Sequence, residues 1–171
     1  ENDFIGSPAA VRFHDATYLF YEGGPRGGVG MARVDDGGAT RLSDRPIVSA
    51  SGVEQLFWRD VTEVGAPYAV VADDILRVYF TARGVEGSDA IVDDVAAPAD
   101  ANDSIGLVAS VDGKQFLHYP SGPVLARVTN LRTYLGEREA SVRLLPAGAE
   151  ITFVSADASG KSVSGLARSS R

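Results

Sequence analysis

Two short segments hold the side chains best suited to chemistry. Leu56-Phe57-Trp58-Arg59-Asp60 sets the only tryptophan beside an arginine and a carboxylate. The stretch from Asn130 to Glu139 carries Arg132, Tyr134, Glu137, Arg138 and Glu139. Flat aromatic faces stack on the C–H surface of a sugar ring, and guanidinium and carboxylate groups hydrogen-bond its hydroxyls. Both segments would therefore suit a carbohydrate. The same residues also serve packing and surface ion pairing, with Trp58 between layers and the Arg and Glu residues neutralising one another.

Other chemistries are excluded by inventory. The 171 residues contain no cysteine, so disulfides, thiol nucleophiles and thiolate-held zinc are absent. The two histidines, His14 and His118, cannot build a three-histidine metal site, and both read as exposed or structural. The glycine-rich run from Gly23 to Gly30 lacks the Gly-Lys-Ser/Thr ending and the following helix of a phosphate loop, so it reads as a hairpin loop. Acidic residues between Gly84 and Ser104 (Glu86, Asp89, Asp93, Asp94, Asp100 and Asp103) read as a solvated loop, because the spacing of a calcium loop is missing. No metal and no cofactor is expected. A net charge of −7 without a basic stripe argues against nucleic acid and anionic membrane as partners. No apolar run approaches the roughly 18–20 residues that cross a bilayer. The first residue is Glu1 rather than Met, so a leader or a boundary upstream is expected.

The elements that must position these groups are strands. Nineteen glycines and eight prolines, about one residue in six, punctuate short apolar bursts without helical period. Tyr18-Leu19-Phe20-Tyr21 and Leu76-Arg77-Val78-Tyr79-Phe80-Thr81 have the aromatic and β-branched content of a pleated surface. Asp112-Gly113 marks a turn. The pattern predicts at least nine strands and no helix.

Those strands repeat. Ala66 follows Ser7, and Arg77 follows Tyr18, by the same 59 residues. Each unit runs strand, tight turn, aromatic strand, variable loop, then a Gly-led strand: Gly30-Met31-Ala32, Gly106-Leu107-Val108 and Gly165-Leu166-Ala167. A fourth strand is expected where Gly113 to Tyr119 follows in the second unit. The units are approximately residues 4–56, 57–128 and 129–171, together one partial domain. Four-stranded antiparallel units at such a period are propeller blades, and each must stack on a neighbour to cover its faces. The fold class expected is all-β, a β-propeller with about three blades in this chain, the alternative being a β-sandwich whose hairpins are alike by accident.

These units resemble the five-bladed propeller glycosidases, the superfamily of glycoside hydrolase families 43, 32, 62 and 130. Its blades open with an acidic-Pro-x-x-(Val/Ile) strand, continue through Tyr-x-Phe-Tyr, and then run Ile-Gly-Leu-Ala-x-Ser-x-Asp-Gly. Ser7 to Ala32, Ala66 to Phe80 and Ser104 to Phe116 follow that template, with Ile105 to Gly113 the closest segment. The resemblance implies five blades, of which this chain supplies about three. Missing chain segments or another protomer would supply the rest. It further implies glycosidic-bond cleavage by carboxylates gathered at the mouth of a central funnel, and an extracellular or periplasmic location. In that pattern the blade-one Asp falls on Ser7 and the blade-two Asp on Ala66, neither of which can act as a carboxylate. The blade-three general acid falls on Glu139, or on Glu137 if the turn around Leu145 to Gly148 shifts the register. Asp60 and Glu63, just before the second unit, are candidate substitutes, while Asp3 and Glu22 read more simply as surface ion pairs. The site so implied has Glu139 and Asp60 as catalytic carboxyls, and Trp58, Arg59, Arg138, Tyr134 and Ser7 for substrate. A propeller that binds glycans without cleaving them is the alternative.

Overall fold

Tight turns set where the strands end. Asp73 and Asp74 both take left-handed backbone angles (φ 51° and 59°), as a two-residue hairpin turn of the mirror-image type requires, and Asp is among the few residues that tolerate them. His14 (φ 50°) lies in the matching turn of the first unit. A computed structural model describes residues 5–24, 27–54, 61–84, 91–92, 95–96, 103–119, 124–125, 135–146, 148–156 and 161–170.

The first sheet has the order β1 (Ile5–Phe13), β2 (Ala16–Gly23), β3 (Val29–Asp35), β4 (Gly38–Arg41), every neighbouring pair antiparallel. A five-residue helix, α1 (Ala50–Glu54), follows and packs on the next strand. The second sheet contains β5 (Val61–Ala72) and β6 (Ile75–Gly84). After a small hairpin of β7 (Ile91–Val92) and β8 (Val95–Ala96) come its two remaining strands, β9 (Ser104–Ser110) and β10 (Leu117–His118). The third sheet has β11 (Leu135–Leu145), β12 (Gly148–Ala156) and β13 (Ser162–Ser170). Each sheet thus begins at one edge and winds outward in chain order. The three starting strands β1, β5 and β11 lie side by side.

Alternation within each strand builds two interfaces. Between the first and second sheets lie Phe13, Phe20, Val29, Leu76, Val78 and Phe80, each no more than 2% exposed. Between the second and third lie Tyr79, Ile105, Ala140 and Val142, with Tyr68, Ile151 and Phe153 against them. Burying one such large apolar side chain is worth about 1.5–3 kcal/mol, so these two layers hold the sheets together. The middle sheet therefore has both faces covered: Leu76, Val78 and Phe80 point one way and Tyr79 the other.

The repeated glycine has a steric cause. Gly30 pairs with Tyr21, Gly106 with Phe80 and Gly165 with Phe153, and in each pair the ring lies over the glycine where a Cβ would be.

The structure departs from the sequence expectations in three places. The helix α1 was not expected. Asp103 is 1% exposed rather than part of a solvated loop. Glu22 is 5% exposed and is not a surface ion pair.

Candidate functional site

The three innermost strands break their ladders at corresponding places. In β1 the pairing jumps from Gly6 to Ala9, in β5 from Gly65 to Tyr68, and in β11 from Arg138 to Ser141. Such bulges bend a strand and re-aim its side chains. The first residue of each break takes a left-handed backbone conformation: Ser7 at φ 48°, Ala66 at 45° and Glu139 at 55°. A non-glycine residue held so costs on the order of 1–3 kcal/mol, and such strain collects where function needs a fixed geometry. Pro8 and Pro67 follow the first two, within the stretches that have no ladder partner, where a missing N–H costs nothing.

The three bulges meet. Ser7, Pro8, Ala66, Pro67, Glu139 and Ala140 line one cleft of about 230 Å³. Glu139 is exposed there, whereas Ala66 is 9% exposed. Among the described residues lining the cleft, Glu139 is the one carboxylate and Ser7 the one hydroxyl. The register leaves Glu139, not Glu137, at the position equivalent to Ser7 and Ala66, because Glu137 still pairs with Ser155.

Behind the cleft lies a charged group whose carboxylates, Glu22 and Glu63, the sequence names singly without bringing them together. Glu22 reaches from β2 into the second sheet, and its Oε2 accepts the Ala66 N–H at 2.8 Å. Arg83 Nη1 stands 3.7 Å from Glu22 Oε1 and 2.9 Å from Glu63 Oε1. Burial works against the Arg83 charge, but the hydrogen bond and charge of Glu63, with the charges of Glu22 and Asp103, outweigh it and hold the guanidinium above its ordinary value. Glu63, a candidate substitute acid, is thus engaged by Arg83. One blade further on, the Oγ1 of Thr81, fully buried on β6, accepts the Glu139 N–H at 2.9 Å. Thr81 stands 59 residues after Glu22, the offset that relates the two units, and that spacing was the available signal for both.

The remaining candidates divide simply. Arg138 lies on β11 next to Glu139, with its backbone paired to Val154. Trp58, Arg59, Asp60 and Tyr134 lie outside the described residues. His118 stacks edge-on against Phe80, ring centres 6.2 Å apart, and burial pushes its pKa below the ordinary value. Among the described residues no group of three or more His, Asp or Glu side chains could hold a metal ion, and no helix is long and apolar enough to cross a membrane.

No protein-family model matches the chain, and no curated protein matches it. Solved structures do. A Bombyx mori GH32 β-fructofuranosidase superposes with a TM-score of 0.65 at 18% identity, over 96% of this chain and 32% of that protein. An exo-1,5-α-L-arabinanase from a bovine ruminal metagenomic library gives 0.61 at 11% identity, over 98% and 54%. A GH43_1 enzyme from Xanthomonas citri, solved with xylose, gives 0.61 at 13% identity, over 89% and 40%. The fold is that of the propeller glycoside hydrolases. The chain spans between about a third and about half of the length of these propeller proteins, so its three sheets are three blades of that architecture, two of them four-stranded and the third with three strands described.

Proposed function

We propose that this propeller is carbohydrate-active and engages its ligand at the cleft formed by Ser7, Ala66 and Glu139. The observation that supports this reading is the convergence of three left-handed bulges, one per blade, on a single opening that presents a carboxylate. Three neighbouring wedges aim their most constrained backbone at one point, and a carboxylate and a hydroxyl there suit a polyhydroxylated ligand. Fold likeness to glycoside hydrolases is consistent with it. In the hydrolytic version Glu139 is the general acid that protonates the leaving oxygen. As that oxygen departs, a second carboxyl, for which Asp60 is the candidate, either activates a water that attacks the anomeric carbon or attacks it itself, giving a glycosyl-enzyme whose bond water then cleaves with the same acid now acting as base. Trp58, Arg59, Arg138 and Tyr134 are the proposed sugar-contacting side chains around it. Residues 1–171 make up one partial domain, whose ring is completed by chain segments beyond them or by another protomer, and which works outside the cytoplasm.

A second reading, binding without cleavage, is favoured by one specific feature: two of the three converging positions are Ser7 and Ala66, which cannot serve as acid or base. A panel of aryl glycosides and a glycan array separate the two. Hydrolysis that falls by about 10²–10⁴ in Glu139→Gln identifies an enzyme whose acid is Glu139. Array binding that weakens in Glu139→Gln, without turnover by either protein, identifies a binding module. Turnover or binding indifferent to that substitution removes the cleft from the function.

A further inference from the structure

We infer that Thr81 is the positioning residue for Glu139, one instance of a blade-to-blade latch built into this fold. The inference rests on the reading of Glu139 as the ligand-facing carboxyl. It begins from backbone geometry. At the β11 bulge the ladder with β12 skips Glu139 and Ala140, so the Glu139 N–H has no strand partner. A backbone donor left without an acceptor costs free energy comparable to a lost hydrogen bond. Thr81 Oγ1 supplies that acceptor from the neighbouring blade, at 2.9 Å, from a side chain with no exposure.

One blade earlier the same bond is made with a different group. The Ala66 N–H, at the β5 bulge, donates to Glu22 Oε2. Glu22 and Thr81 occupy equivalent sites, since Glu22 pairs with Gly6 and Thr81 with Gly65, each just before its blade's bulge. The third equivalent is Val154, paired with Arg138, and its side chain has no acceptor. At the first two sites the side chain therefore ties the bulge of the next blade and fixes how that bulge presents its residue to the cleft. The two latches differ in charge. Where the presented residue is alanine the latch is a carboxylate. Where it is Glu139 the latch is a neutral hydroxyl; a carboxylate placed there instead would disfavour ionisation of a neighbouring carboxyl.

The test uses the whole chain and needs no sugar. NMR follows exchange of the Glu139 amide and titration of its carboxyl in Thr81→Val, Thr81→Ser and Thr81→Glu. Thr81→Val is expected to speed exchange of that amide at least tenfold while leaving β1 and β2 amides unchanged. Thr81→Ser is expected to restore protection. Thr81→Glu is expected to shift the Glu139 titration upward. Equal protection of the Glu139 amide in the wild type and Thr81→Val overturns the latch, as does a Glu139 titration unmoved by Thr81→Glu. If Thr81→Val does not fold, Thr81→Ala supplies the comparison that lacks an acceptor, and a Glu139 amide as protected in it as in the wild type overturns the latch. A sugar screen on the same proteins fails or succeeds separately. If no glycan binds while the NMR behaves as stated, the latch stands and the carbohydrate reading falls.

Discussion

Glu22 illustrates how burial turns an unremarkable glutamate into a structural joint. Its carboxylate answers two demands at once, the Ala66 N–H freed by a bulge and the Arg83 guanidinium. Removing it leaves a buried donor without an acceptor, a loss of about 1–3 kcal/mol, and opens a void under Gly65, whose backbone the carboxyl covers. We expect Glu22→Ala to lower unfolding free energy by about 2–4 kcal/mol in urea titrations. Glu22→Gln keeps an acceptor oxygen and should lose less. Glu63→Ala, at a partly exposed site of the same cluster, should cost under about 1 kcal/mol. Equal losses in all three would show that Arg83, rather than the Ala66 amide, is what Glu22 serves. The sequence places Glu22 at the end of an aromatic strand but does not say which way it points. A two-residue period leaves the facing open until the neighbouring blade is known, and so the residue reads from sequence as a surface group. Ser7, Ala66 and Glu139 were legible for the opposite reason. Their equivalence is carried by position within a repeat, which needs no knowledge of what lies across the interface.

At the scale of elements, repetition and turn chemistry are what make the strands readable. The 59-residue offset, the aromatic strands, the Gly-led strands and the Asp112-Gly113 turn are signals carried by the sequence itself, and they survive into the structure as β2, β6, β9 and their neighbours. The helix α1 has no such signal, since five residues make barely one turn and Val53, buried against β5, holds it through tertiary contact. The turn from β9 toward β10 can be tested directly. Asp112 Oδ1 accepts the N–H groups of Lys114 and Gln115 and the hydroxyl of Ser110. The Gln115 and Lys114 amides, in that order, and then Ser110 hold its pKa below the ordinary aspartate value. A carboxyl lowered in the folded state adds stability above the unfolded-state pKa of about 3.9, and that stability is lost as pH falls through the folded value. Asp112→Asn keeps the acceptor oxygen without the charge. We therefore expect it to be less stable than the wild type at pH 7 and to flatten the acid limb of the stability curve, the two proteins converging below about pH 4. An unaltered acid limb would mean that the bonds around Asp112 form equally well in the unfolded chain.

At the scale of the molecule, the three blades are unequally supported among the described residues. The second is covered on both faces, by the first blade through Phe20 and Phe80 and by the third through Tyr79 and Val142. Ile5 and Leu166, on the first and third blades, are 68% and 54% exposed. The outer strand β13 is held by its ladder to β12 and by surface contacts such as the Arg168–Glu150 ion pair at 2.9 Å. In stacked repeats stability is close to a sum of unit and neighbour terms, so the unit with two neighbours should open last. Native-state hydrogen exchange is expected to be slowest in β5, β6 and β9, and faster by at least tenfold in β4 and β13. The revealing position is Glu139. It belongs by chain order to the third blade, whose described packing lies on one side, against the second, yet its amide is bonded to Thr81 on the central one. If the latch couples the carboxylate to the best-supported sheet, the Glu139 amide should exchange at the pace of β5 and β6. An exchange rate matching β13 would instead place the cleft's carboxylate on the most easily opened part of the propeller, and a fixed ligand geometry could not be sustained there.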